Sequence, residues 1–147
     1  MPKTGLLKNL SRTLRIPFNR RNAFRRLRQY HEERQTVPQT VDWALKFGGS
    51  GYFTVHTVQK RSEILALAQE IAQLKPRIVL EIGTARAGTL LIWTRLASHR
   101  VITCDLFHLP VQKPLLEALP PPGSKCQVHL LTGDSHTSEF KHRVAAA

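Results

Sequence analysis

RIVLEIGTARAGTLLIWTRLAS, residues 77–98, passes from one hydrophobic period to another within a few residues. Its opening, RIVLEI at 77–82, is a short apolar run rich in β-branched side chains, the composition of a strand. Its close, TLLIWTRLAS, has the three-and-four spacing of a helix, and a turn bearing Gly83 and Gly88 joins the two. Downstream, VITCDL at 101–106 repeats the strand signature. QVHLLT at 127–132 gives a third strand, after a Pro-rich connection that contains the short helical PLLEAL and the rigid PPPG at 120–123. Strands alternating with helical segments predict crossover units and a parallel sheet.

Upstream of this unit, Ile64, Leu65, Leu67, Ala68, Ile71, Ala72 and Leu74 form one broad apolar face, so 58–75 reads as a helix that Pro76 breaks. The stretch from Val41 to Thr57 holds Trp43, Phe47, Tyr52 and Phe53 around Gly48, Gly49 and Gly51, which reads as a loop with aromatic anchors. At the N-terminus, Leu6, Leu7, Leu10 and Leu14 with interleaved Lys8, Arg12 and Arg15 predict a basic amphipathic helix ended by Pro17. Asn22 then starts a second helix that stops before Pro38. The expected architecture is an α/β fold: a Rossmann-like parallel sheet of about three strands over residues 58–147, an aromatic and glycine-rich loop at 41–57, and a basic helical extension at 1–40.

Charge separates these parts. Residues 1–30 carry nine Lys or Arg and no acid, whereas 31–147 carry thirteen bases against ten acids. An acid-free basic arm suits an anionic membrane surface, nucleic-acid phosphates, an organelle transit peptide or a solvated extension; nothing in it reads bases, so no sequence-specific nucleic-acid binding is expected. Cys104 and Cys126 lie far apart and near no ligand-spaced histidine, and none of the seven histidines shows metal-ligand spacing. No metal site and no disulfide framework are expected. Without an apolar run of about 18 residues or a secretory h-region, the expected setting is cytoplasmic, with peripheral membrane contact as one option.

The chemistry concentrates in EIGTARAGT, residues 81–89. Gly83 permits a sharp turn, and the missing side chain at Gly88 lets a ligand or a neighbouring element approach. Gly83, Ala85 and Gly88 also fill the three places of a dinucleotide fingerprint with one substitution, so two cofactor classes compete. A carboxylate at Glu81 would repel a pyrophosphate and attract the ammonium and sulfonium of S-adenosylmethionine, a difference of several kcal/mol at about 4 Å and an effective dielectric near 20. Asp105 follows twenty-four residues after Glu81, close to the ~20-residue spacing of an acid on a ribose. Asp134, with Ser135, follows the third strand, so three acids are expected at one crevice. Asp134 also suits a helix N-cap for TSEFKHR, and His136 is the histidine nearest this edge.

Together QKRSEILALAQEIAQLKPRIVLEIGTARAGTLLIWTRL, VITCDL and LLTGDSH resemble class I S-adenosylmethionine-dependent methyltransferases, in particular the branch similar to cephalosporin hydroxylase and sugar O-methyltransferase proteins, over about residues 55–136. The resemblance implies that Glu81, Gly83, Thr84 and Ala85 lie against the methionine part of the cofactor, Asp105 on the ribose, and Asp134 with Ser135 near the adenine. It implies methyl transfer to a hydroxyl of a small molecule or sugar. The general family loop is E-x-G-x-G-x-G, and Ala85 and Ala87 stand at its second and third glycines. The family continues for four or more further strands, so the resemblance covers only its cofactor-binding half and no catalytic residue can be named. A truncated chain, one completed by a homo- or hetero-oligomeric partner, or a non-catalytic interaction protein are the expectations that follow.

Overall fold

A computed structural model describes residues 4–33 and 35–147, with side chains from residue 14 onward. The chain is α/β, with a three-stranded parallel sheet in the order β1 (Ile78–Ile82), β2 (Arg100–Asp105), β3 (Gln127–Thr132). β1 and β2 run in register from Ile78 against Arg100 to Ile82 against Cys104. All three strands are the ones expected from their β-branched runs.

Helix α1, Thr4–Glu32, departs from the sequence reading. It runs through Pro17, where an end is expected, and through Asn22, where a new cap is expected. Proline removes one backbone donor and crowds the preceding turn, but a long helix can carry that as a local flaw while its flanking turns hold. Nor is α1 an appendage. Ala23, Leu27 and Tyr30, spaced by four and three, are buried in the same core as the sheet, a stripe that the surrounding arginines obscure in the sequence. The N-terminal leucines at 6, 7 and 10 lie outside the described side chains.

Helix α2, Val37–Lys46, replaces the first part of the expected loop. Thr36 accepts from the Gln39 amide while the Gln39 side chain accepts from the Thr36 amide at 2.8 Å, a reciprocal cap, and Pro38 sits in the first turn where its missing N–H costs nothing. Trp43 and Phe47 are helical anchors, and the glycine turn follows with positive φ at Gly48, Gly49 and Gly51. Helix α3, Arg61–Leu74, is the helix expected before Pro76 and ends on Lys75 in the left-handed conformation. Arg61 grips Asp42 of α2 with two hydrogen bonds, 2.7 and 3.2 Å.

Helix α4, Gly88–Leu96, joins β1 to β2; α5, Lys113–Glu117, precedes β3; α6, Ser138–Ala146, follows it. The two faces of the sheet differ. On the first, Val79, Val101, Val128 and Leu130 pack into one core with Leu90 and Leu91 of α4, Leu115 of α5 and Phe53. On the second, Ile102 and Cys104 form a small cluster with Phe140, Leu131, Val144 and Ala147. Ile78, Leu80 and Ile82 of β1 remain 51%, 50% and 59% exposed, and among the described residues β1 has no strand on its outer side.

Candidate functional site

The loop from β1 to α4 turns by alternation. Gly83, Ala85 and Ala87 all take left-handed φ, 94°, 44° and 57°. Alanine in this region costs about 1 kcal/mol or more relative to glycine, so the loop holds its shape against local preference. Backbone donors hold it: the Gly83 and Thr84 amides donate to the Cys104 carbonyl at 2.7 and 3.2 Å, the Ala87 amide donates to the Thr84 carbonyl, and the Ala85 amide donates to Asp105 Oδ2 at 2.9 Å. Asp105 Oδ1 accepts in turn from the Leu106 amide at 2.7 Å, which fixes its carboxylate at the strand end.

Gly88 serves packing. A Cβ there would lie 2.1 Å from the Thr57 nitrogen, and the His56 amide donates to the Arg86 carbonyl alongside. Residues 56–57 thereby pack against the start of α4, so at Gly88 the missing side chain admits a neighbouring element. Gly83 is the opposite case: a Cβ built on it meets nothing within 4 Å among the described residues, so the space before it is free for a ligand.

Of the three acids expected together, two meet. Asp105 and Asp134 line a cavity of about 470 Å³ at the carboxyl ends of the strands, with Gly83, Ser135 and His136. Among the described residues no Lys or Arg lines it. Asp134 Oδ1 accepts from the His136 amide at 2.9 Å and lies 3.0 Å from His136 Nδ1; the His136 amide, then its imidazole, holds the carboxyl below the usual range. The cap of α6 is Thr137, whose hydroxyl accepts from the Phe140 amide, and Asp134 instead closes the turn before it.

Glu81 faces the other way. Its side chain is buried on the helix-covered face of the sheet, beside a second cavity of about 280 Å³ lined by Leu67, Thr89 and Trp93. Trp93 Nε1 donates to one carboxylate oxygen at 3.0 Å and Thr103 Oγ1 to the other at 2.6 Å. Burial raises its pKa above 4.5, against the lowering by these donors.

From Thr103 the hydroxyl chain continues to Thr84 at 2.7 Å, to His108 Nε2 at 2.8 Å, and from His108 Nδ1 to Thr132 at 3.1 Å. One proton arrangement satisfies every member: Thr132 donates to Nδ1, Nε2–H to Thr84, Thr84 to Thr103 and Thr103 to Glu81. Burial lowers the His108 pKa, and the nearby Asp105 charge opposes this. The sequence reading passes over His108 and Thr103. Their signals are positional, since Thr103 lies two residues before Asp105 and so shares its sheet face, and His108 follows Asp105 at the same sheet edge.

A larger cavity, about 590 Å³, lies between α1 and the glycine turn and is lined by Arg15, Phe18, Asn19 and Tyr52. No described acid and no residue of the β1–α4 loop lines it. Among the described residues, no three His, Cys, Asp or Glu side chains gather as metal ligands. No family model, curated protein or solved structure matches this chain.

Proposed function

We propose that the crevice at the β1–α4 loop binds S-adenosylmethionine, and that the chain is a Rossmann-like cofactor-binding unit of the methyltransferase kind, directed to methyl transfer onto a hydroxyl of a small molecule or sugar. The observation that carries this reading is the lining of the crevice, with Asp105 and Asp134 present and no described Lys or Arg. Such a cavity suits a ligand bearing sulfonium and ammonium charges and disfavours a pyrophosphate. Its volume of about 470 Å³ is in the range of small-molecule sites. The loop amide most needed by a phosphate, that of Ala85, is already taken by Asp105.

The discrimination expected of Glu81 thus passes to Asp105. Each Asp105 oxygen keeps a free lone pair beside the backbone amide it accepts from, and can take a ribose hydroxyl. Gly83 leaves room for the methionine part, and Asp134 with Ser135 closes the far side. The cofactor would supply an electrophilic methyl group; the chain's share is to hold it, orient it and keep it from water.

Calorimetric titration with S-adenosylmethionine and S-adenosylhomocysteine, with NAD as control, tests this. Saturable binding of the first two, weakened by about 1.5–3 kcal/mol in Asp105→Ala, is the expected result. Preferential binding of NAD, or none by folded protein, would sink the reading. A second reading then takes its place: an interaction protein whose sheet is extended by another chain, favoured by the outer side of β1, unpaired among the described residues, and the half-exposed Ile78, Leu80 and Ile82.

A further inference from the structure

The outward side of α1 has an order that neither the core nor the crevice explains. Ala23, Leu27 and Tyr30 face the core, and opposite them Leu14, Phe18, Arg21, Arg25 and Arg28 follow at intervals of four, three, four and three, which places them on one stripe. All five are exposed, Leu14 at 77% and Phe18, which also borders the cavity between α1 and the glycine turn, at 67%. The stripe spans about 21 Å of helix axis at a rise of 1.5 Å per residue. It runs from apolar to basic, and only one turn beyond its last arginine does the same side of the helix carry an acid, the exposed Glu32.

None of the ion pairs among the described residues engages Arg21, Arg25 or Arg28. Arg26, by contrast, turns inward, bonding the Lys46 carbonyl at 3.1 Å and lying over Trp43 and Phe47. The outward arginines therefore carry charge that the described fold does not neutralise. Residues 1–30 as a whole hold nine Lys or Arg and no acid.

We propose that this stripe is a docking surface for an anionic phospholipid bilayer, with Leu14 and Phe18 entering the boundary of the acyl chains and Arg21, Arg25 and Arg28 resting on the headgroup phosphates. Such a partner uses both parts of the stripe at once. Charged lipid attracts the arginines, and the acyl boundary removes the two apolar side chains from water. A nucleic acid would satisfy the arginines and leave Leu14 and Phe18 exposed, with a single aromatic ring where a stacking platform needs several. No helix among the described residues is long and apolar enough to cross a membrane, so the contact lies in the surface plane. The inference is independent of the cofactor reading.

The test is co-sedimentation of the purified full chain with vesicles of phosphatidylcholine, with and without phosphatidylserine at about a third of the lipid. Binding to the anionic vesicles that weakens with salt is expected. L14S/F18S, which leaves the charge unchanged, should weaken it about tenfold or more, and R21Q/R25Q/R28Q on the order of a hundredfold. Because all five positions are exposed, circular dichroism should show both variants folded. Equal binding with and without phosphatidylserine, no binding to either, or a signal that L14S/F18S leaves unchanged while single-stranded RNA competes it away would each overturn the proposal, the last in favour of a nucleic-acid contact.

Discussion

The two faces of the sheet are built from the same strands and end differently. On the face toward α4, Val101 is buried and Val79, Val128 and Leu130 pack half-buried against one core, beside which a carboxylate, two threonines and part of a histidine form a hydrogen-bond chain. On the other face, Ile102 and Cys104 are sheltered by α6, while Ile78, Leu80 and Ile82 stand half in water. Apolar sequence alone does not bury a strand; what decides is whether a helix returns over it. The first face carries the stability and the polar network, and the second contributes a small local cluster.

The sharpest way to break this contrast is Leu91→Ala, at a fully buried position of the first face. It should cost about 2–5 kcal/mol in urea unfolding. A cost near that of an exposed site would mean that the core is not centred there. Next, Thr103→Val removes the hydroxyl between Glu81 and Thr84 while keeping shape, and should cost about 1–3 kcal/mol because the buried carboxylate loses its shortest donor. If stability were unchanged, the hydrogen-bond chain would have no energetic standing.

Glu81 gives a smaller effect with a defined sign. Its folded pKa lies above its ordinary value of 4.5, so the folded state holds the proton more tightly than the unfolded chain. The stability this contributes is fully present below 4.5 and is lost as pH rises through the folded value. The stability of the native chain minus that of Glu81→Gln should therefore fall between acid and neutral pH, by about 1.4 kcal/mol for every tenfold by which folding tightens the carboxyl's hold on its proton. A difference that grows with pH would show a carboxylate stabilised in its charged form. The smallest effect belongs to the second face: Leu80→Ser should change stability by no more than about 0.5 kcal/mol, since its side chain is half exposed already. A large loss would show that something covers that face in solution.

How far the sequence can be read follows the same physics. The strands are legible because β-branched apolar runs between helical segments have few other uses, and α3 because its apolar face is long and regular. α2 is not, although Thr36 and Gln39 spell its cap, because Pro38 reads as the end of one helix when it belongs to the first turn of the next. The same rule splits α1 at Pro17, a place where the helix continues. At the site, Asp105 and Asp134 reach the expected crevice because strand ends fix position, whereas the direction of the Glu81 side chain depends on strand parity and on the indole that meets it from α4. Ala85 and Ala87, which look like losses against a glycine-rich loop, keep the left-handed backbone that glycine would adopt more easily.

Pro17 has a mechanical meaning. A proline inside a helix leaves the carbonyl four residues earlier, at position 13, without its amide partner, so bending stiffness drops at that turn. α1 is held to the core on both sides of this turn, by Ile16 before Pro17 and by Ala23, Leu27 and Tyr30 after it, while Leu14 stands exposed. α1 is thus a rod whose one softened turn is braced against the core from both sides. The missing backbone bond is thereby offset by side-chain contacts, and the helix stays continuous through a residue that would otherwise divide it.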